Sequence, residues 1–246
     1  MSITINNQLP KLITVAIQGV IEEDIPNQML SYSTLDTKGK QVSFQNGRGS
    51  TTWDKIDITL LEKLKSVDGI HATGYRRGNW HMLLIHDTVN KVLLTLMREE
   101  RLITVLKELK KGSLHYKGSM VREFNTHLEP LQPCIDGLEI VSDHQEYSDK
   151  LCIQQILDAL QEQDSDEITE VITVIFSSSS DKLMRISAVH IDRSYNIVEY
   201  PENNWNHYIE VRETGIVGNT EATEVPAPSK RVKLTAKGQR RQQRGS

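Results

Sequence analysis

The chain has 246 residues, 37% hydrophobic and 25% charged, with a formal net charge of −4. That length holds a substantial core in one or two domains, and the composition is that of a soluble protein. No apolar run approaches the roughly 18 residues of a membrane helix. The opening stretch MSITINNQLPK lacks the basic region and long apolar segment of a signal peptide. A cytoplasmic location is expected, or a nuclear one in a cell with a nucleus.

Pro10 follows Asn6 and Asn7, and Leu12, Ile13, Ala16, Ile17, Val20 and Ile21 recur at helical spacing, which predicts a helix over 10–23. Residues 31–52, rich in Ser, Thr, Gly, Asn and Gln, read as loop around one short strand, 41–45. Thr52 or Asp54 caps a second helix that runs to about 67, with Ile56, Leu60, Leu61 and Leu64 on one face. An antiparallel meander is expected over 70–97. A basic, leucine-rich helix follows at 98–111, with Gly112 as its C′ residue. A shorter helix is expected over 119–128, ending before Pro130 and Pro133.

The second half carries a helix over 148–161 and then antiparallel strands between 168 and 212: 168–176, 182–191, 195–200 and 207–212. The run Ser177–Ser178–Ser179–Ser180 reads as a turn between the first two. The hairpins 83–97 and 173–189 share an outline of apolar strand, polar turn, lysine and apolar strand. The fold class is α+β, with antiparallel hairpins and meanders packed against four to five helices. The expected division is an α+β domain or subdomain at 1–132, an α+β subdomain at 133–213, and a disordered linker and basic tail at 214–246.

Charge is divided sharply along the chain. Residues 228–246 hold Lys230, Arg231, Lys233, Lys237, Arg240, Arg241 and Arg244 and no acid. The remaining 22 of the 29 basic residues face all 33 acids, so the rest of the chain carries −11. Such a body repels nucleic acid, while the tail attracts polyanions. Lys230–Arg231–Val232–Lys233 also has the form of a short nuclear-import signal.

The motif GYRRGNW, residues 74–80, combines arginines with aromatics. As a grip, Arg76 and Arg77 hold phosphate while Tyr75 or Trp80 stacks a base. As a bend, Gly74 and Gly78 shape a hairpin turn, Trp80 starts the next strand and the arginines are solvated. His81, His86 and Asp87 are the weak candidates for a catalytic site, as a general base with its orienting acid. A restriction-type nuclease needs an acid on one strand and Asp/Glu-x-Lys on the next. Asp87 supplies the first, but the following strand has no acid, and Glu108–Leu109–Lys110 falls on a helix.

Nucleotide-loop, dinucleotide and serine-hydrolase signatures are absent, and neither a metal site nor a cofactor is expected. Cys134 and Cys152 lack zinc-module spacing and read as buried thiols. The expected function is that of a non-enzymatic accessory or regulatory protein, in a sequence style that suits a bacterial or phage protein. Its acidic body binds a partner, and its tail contacts nucleic acid or another polyanion. A hydrolase or nuclease near 81–87, and a protein-interaction module that inhibits its partner, are the alternatives.

Overall fold

The computed structural model describes residues 4–24, 33–35, 41–43, 48–77, 80–128, 143–160, 167–179 and 181–211. The expected linker and tail at 214–246, with Cys134 and Ser180, lie outside them. The chain divides into two units, Met1–Glu210 and Val211–Ser246, and the first holds every element described here.

Pro10 sits in the first turn of α1 (Leu9–Gly19), and the helix continues as a π-helical turn over Val20–Asp24. Strands β1 (Ser33–Leu35) and β2 (Gln41–Ser43) form a small antiparallel pair. Helix α2 (Arg48–Leu64) begins before the expected caps, so Thr52 is a buried position inside it. Then come β3 (Ile70–Arg77), β4 (Trp80–Asp87) and β5 (Val92–Arg98), the expected meander. Helix α3 (Glu99–Leu109) ends as the sequence predicts: Gly112 adopts φ +84°, and Ser113 N returns to the carbonyl of Glu108. Helices α4 (Tyr116–Phe124) and α5 (Asp143–Leu160) lead to β6 (Glu170–Ser179), β7 (Lys182–Ile191) and β8 (Ile197–Val198).

The main sheet has the order β3-β4-β5-β6-β7-β8, antiparallel throughout except that β5 and β6 run parallel. That parallel pair requires a long crossover, which α3, α4 and α5 supply. It also joins the halves expected as subdomains 1–132 and 133–213 into one sheet. The α+β class stands, and the core is continuous across the expected boundary.

The β period of two sorts the strand residues onto two faces. Leu83, Ile85, Val92, Leu94, Ile172, Val174, Phe176, Ile186 and Ala188 pack with Leu9, Ile13, Ile17, Ile56, Leu60 and Leu64 of α1 and α2. Trp53 of α2 meets the ring of Phe176 at 5.4 Å between centroids. On the other face Leu84, Leu93, Met97, Val171, Ile175, Val189 and Ile191 pack with the apolar faces of α3, α4 and α5. Strand β5 is therefore buried at every position but its last, as a strand covered on both sides should be. Each such Leu, Ile or Phe contributes about 1.5–3 kcal/mol by leaving water.

Three expectations change. Ser177, Ser178 and Ser179 are strand rather than turn: β6 extends through Ser179, with a bulge at Ser177/Ser178. The strand expected at 195–200 shrinks to β8, because the chain turns at Pro201 into a 3-10 helix, Pro201–Asn203. The last expected strand, 207–212, is replaced by a second 3-10 helix at Asn206–Tyr208, where Asn206 Oδ1 accepts from Ile186 N instead.

Candidate functional site

In GYRRGNW, residues 74 to 77 belong to β3 rather than to a bend. Gly74 pairs with Leu83, Tyr75 with Met82, Arg76 with His81 and Arg77 with Trp80. Gly74 is not at positive φ and its Cβ position is open, so nothing local demands glycine there. Tyr75 is buried among Leu84, Met97 and Ile153, and its hydroxyl donates to Gln155 Oε1 of α5 at 3.1 Å. Its ring is part of the core and is not available to stack a base. The side chains of Arg76, Arg77, Trp80 and His81, and residues 78–79, lie outside the described part.

The geometry separates the His/Asp candidates. His81 and Asp87 lie six residues apart on one strand, roughly 20 Å at the extended rise. His86 and Asp87 are adjacent, so they point to opposite faces. His86 Nε2 lies 3.1 Å from the carbonyl of Glu167, which only accepts, so that nitrogen carries a hydrogen. Asp87 is fully buried and organises a turn. It accepts from Asn6 N at 2.6 Å, Asn90 N at 3.1 Å and Asn90 Nδ2 at 2.8 Å. Asp192 does the same after β7, accepting from Asn196 N and Nδ2 at 2.8 and 3.0 Å. Each turn carries a non-glycine residue at positive φ, Lys91 and Tyr195. These acids are turn-closing side chains that replace backbone partners.

At the end of β7, His190 faces away from the side of the sheet that His86 occupies, so the two histidines do not converge. His190 Nε2 lies against Glu170 Oε1, and its ring meets Tyr200 edge-on at 5.6 Å. Burial, followed by the charge of His127, lowers His190 to about 4, while burial raises Glu170. The pair is a neutral imidazole beside a carboxyl that is reluctant to ionise. Among the described residues, no group of three or more His, Cys, Asp or Glu is placed to hold a metal ion.

The most unusual polar side chain among the described residues is one that no sequence motif singles out. Lys117 is fully buried, among the largest side chains so enclosed in the described residues. His115 caps α4, its Nδ1 accepting from Lys117 N at 3.1 Å. Gly118 lets the helix start close to α3, since a Cβ there would fall 2.6 Å from Leu109 Cδ2. This close approach carries the lysine onto the sheet, where Nζ donates to Thr95 Oγ1 and to Thr173 Oγ1, the latter at 3.1 Å. Those threonines are directly opposed across the parallel β5–β6 pair. Burial lowers the Lys117 amine to about 7.

Residues 2–246 match the model of a family described as a family of unknown function, DUF5986. The chain belongs to DUF5986. No curated protein and no solved structure matches it. The match covers both the folded body and the basic segment of this DUF5986 chain. Within it, the sequence signal that pointed to chemistry, His86–Asp87, was a turn signature, and Asp192 with Asn196 is a second instance of the same kind. A pattern of strand followed by Asp and then Asn three or four residues later was the available clue. For Lys117 there was none beyond its place at the start of a short helix. No helix among the described residues is long and apolar enough to cross a membrane.

Proposed function

We propose that the chain is a non-enzymatic accessory or regulatory protein whose acidic α+β body binds a protein partner and whose basic C-terminal segment contacts nucleic acid. The observation that carries this reading is the charge division: seven basic residues and no acid in 228–246, against −11 in the rest. Opposite charges held in separate parts of one chain suit two different partners better than one. The engagement of Asp87 in a turn supports a structural use of the acid that first suggested catalysis. Lys230, Arg231, Lys233, Arg240, Arg241 and Arg244 form the proposed contact, and Arg76 and Arg77 are a secondary one on the body.

The test is fluorescence anisotropy with a labelled DNA duplex and a labelled single-stranded RNA at 50 and 200 mM salt. Contact through about six or seven phosphates predicts a loss of affinity on the order of 10³-fold over that range. A variant with the seven basic residues changed to glutamine is expected to lose binding to both probes. Equal binding by the variant and the unmodified chain, or no binding by either, removes the nucleic-acid half of the proposal. Recovery of one stoichiometric protein partner by the same variant would support the other half.

A further inference from the structure

Lys117 joins three elements at one point: α4, from which it projects, and the centres of β5 and β6, whose opposed threonines it touches. A neutral amine brings two N–H donors, and two hydroxyls are there to accept them. An ammonium brings three donors and a charge. Among the described residues neither a third acceptor nor a carboxylate reaches Nζ. Burying a charged lysine under these conditions is strongly unfavourable, so the geometry fits the neutral form.

The surroundings leave the proton question to Lys117 itself. The sheet positions Val92–Met97 and Val171–Phe176 carry no titratable group, and the face that α3 buries is Leu102, Val105, Leu106 and Leu109. Strand β4 adds buried His86 on this same face, opposite Leu93, with its Nε2 held at the carbonyl of Glu167. Helix α5 contributes Asp149 and Cys152, and the turn after β7 contributes Tyr195. Asp149 is engaged by Arg122 Nε and Nη2 at 2.7 and 2.6 Å and by Ser119 Oγ at 2.7 Å. Tyr195 bonds Arg122 Nη1. Helix α4 itself adds His115 at its cap, Glu123, and Tyr116, whose ring centroid lies 5.8 Å from Nζ.

Helix α4 is thus tied down at four places: Lys117 near its start, Ser119 through Asp149, Arg122 in its last turn and Asn125 at its C-cap. Burial lowers Arg122, but Asp149 and Tyr195 together outweigh this and the guanidinium ends raised. Asn125 does not titrate. We propose that Lys117 is a proton-operated latch, whose neutral amine clamps the Thr95–Thr173 pair and pins the first turn of α4, and whose protonation frees that turn while Arg122 and Asn125 hold the rest. The lowered affinity of the buried amine for protons sets the range in which the latch works, from about 7 up to the ordinary lysine value of 10.5.

Hydrogen exchange of the full chain, with millisecond labelling at pH 7, 8 and 9 and correction for intrinsic rates, tests this. Amides of residues 118–121 are expected to lose about tenfold in protection for each unit the pH falls, hundredfold in all. At every pH they should be at least tenfold less protected than those of 172–176, because the opening is local. In Lys117→Met their pH dependence should vanish, while His115→Asn keeps it. The proposal is overturned if 118–121 exchange as slowly as 172–176, which means they open only with the whole fold. It is also overturned if their protection is flat with pH, or if Lys117→Met retains the slope. The first two outcomes need no variant, so a variant that does not fold leaves the test intact.

Discussion

In Asn125→Ala three hydrogen bonds at the ends of β6 and β7 are lost together. The β6–β7 ladder stops at Thr173↔Val189, and the next narrow pair would be Val171 with Ile191. There the Asn125 amide stands between the strands: Oδ1 accepts from Val171 N at 2.7 Å, and Nδ2 donates to Val171 O and Ile191 O at 3.0 Å each. Asn125 is fully buried, so water cannot replace it without rearrangement. A buried group stripped of its partner costs about 1–3 kcal/mol. The two carbonyls, which have a second lone pair, belong at the low end of that range and Val171 N near its middle. The expected loss is about 3–5 kcal/mol, a large share of the ~5–15 kcal/mol that stabilises a typical domain. For a unit of this size that lowers Tm by roughly 6–20 °C. Urea unfolding followed by circular dichroism measures it. A loss below about 1 kcal/mol would refute the view that this side chain completes the ladder. Asn125→Asp sharpens the test, because it keeps an acceptor for Val171 N but sets a carboxylate against two carbonyls.

Gly118→Ala is expected to cost about 1–3 kcal/mol by driving a Cβ into Leu109, and Leu109→Ala should make the second change less costly, as a double-mutant cycle would show. Asp87→Ala should destabilise by about 2–4 kcal/mol in urea, since it orphans Asn6 N and both donors of Asn90; an unchanged midpoint would return Asp87 to the list of functional candidates. Global stability should also follow Lys117. Its folded amine is lowered, so the unfolded chain binds the proton more tightly. Stability is then greatest above 10.5, falls by about 1.4 kcal/mol per unit toward 7, and is level below; Lys117→Met should flatten that slope over pH 7–10. Arg76→Ala with Arg77→Ala is expected to change stability by no more than about 0.5 kcal/mol, and thermal unfolding checks it.

Much of the fold was legible because it is written in local periodicity. The apolar runs on either side of the polar turn in 80–97 give β4 and β5, the strand at Lys182–Ile191 falls where expected, and Gly112 ends α3 at positive φ. The parallel join of β5 to β6 was not legible, because no short-range pattern states which distant strand is a neighbour. Tyr75 illustrates a subtler miss. Beside two arginines and a tryptophan it looks like a ligand contact. With β3 extending through Tyr75 to Arg77, period two puts the ring on the face opposite Ile70 and Ala72, against α5. Both faces of this sheet are covered, so an aromatic on either one becomes core. His86 and Asp87 misled for a related reason: adjacency in sequence suggests a pair, but on a strand it guarantees opposite directions.

The β5–β6 seam also bears on how the chain reaches this fold. Each meander forms from contacts within a few tens of residues, so both can gather early. The seam pairs Thr95 with Thr173, and beside it Thr169 bonds the carbonyl of Lys91 across 78 residues. Closing a loop of that length costs entropy before the contact returns any, which makes such pairings slow. During synthesis the first meander must wait, with one edge of β5 unpaired and apolar, until 170–176 has left the ribosome. Helices α3 to α5 emerge in that interval and can cover one face of the waiting strands, but only β6 can close the edge.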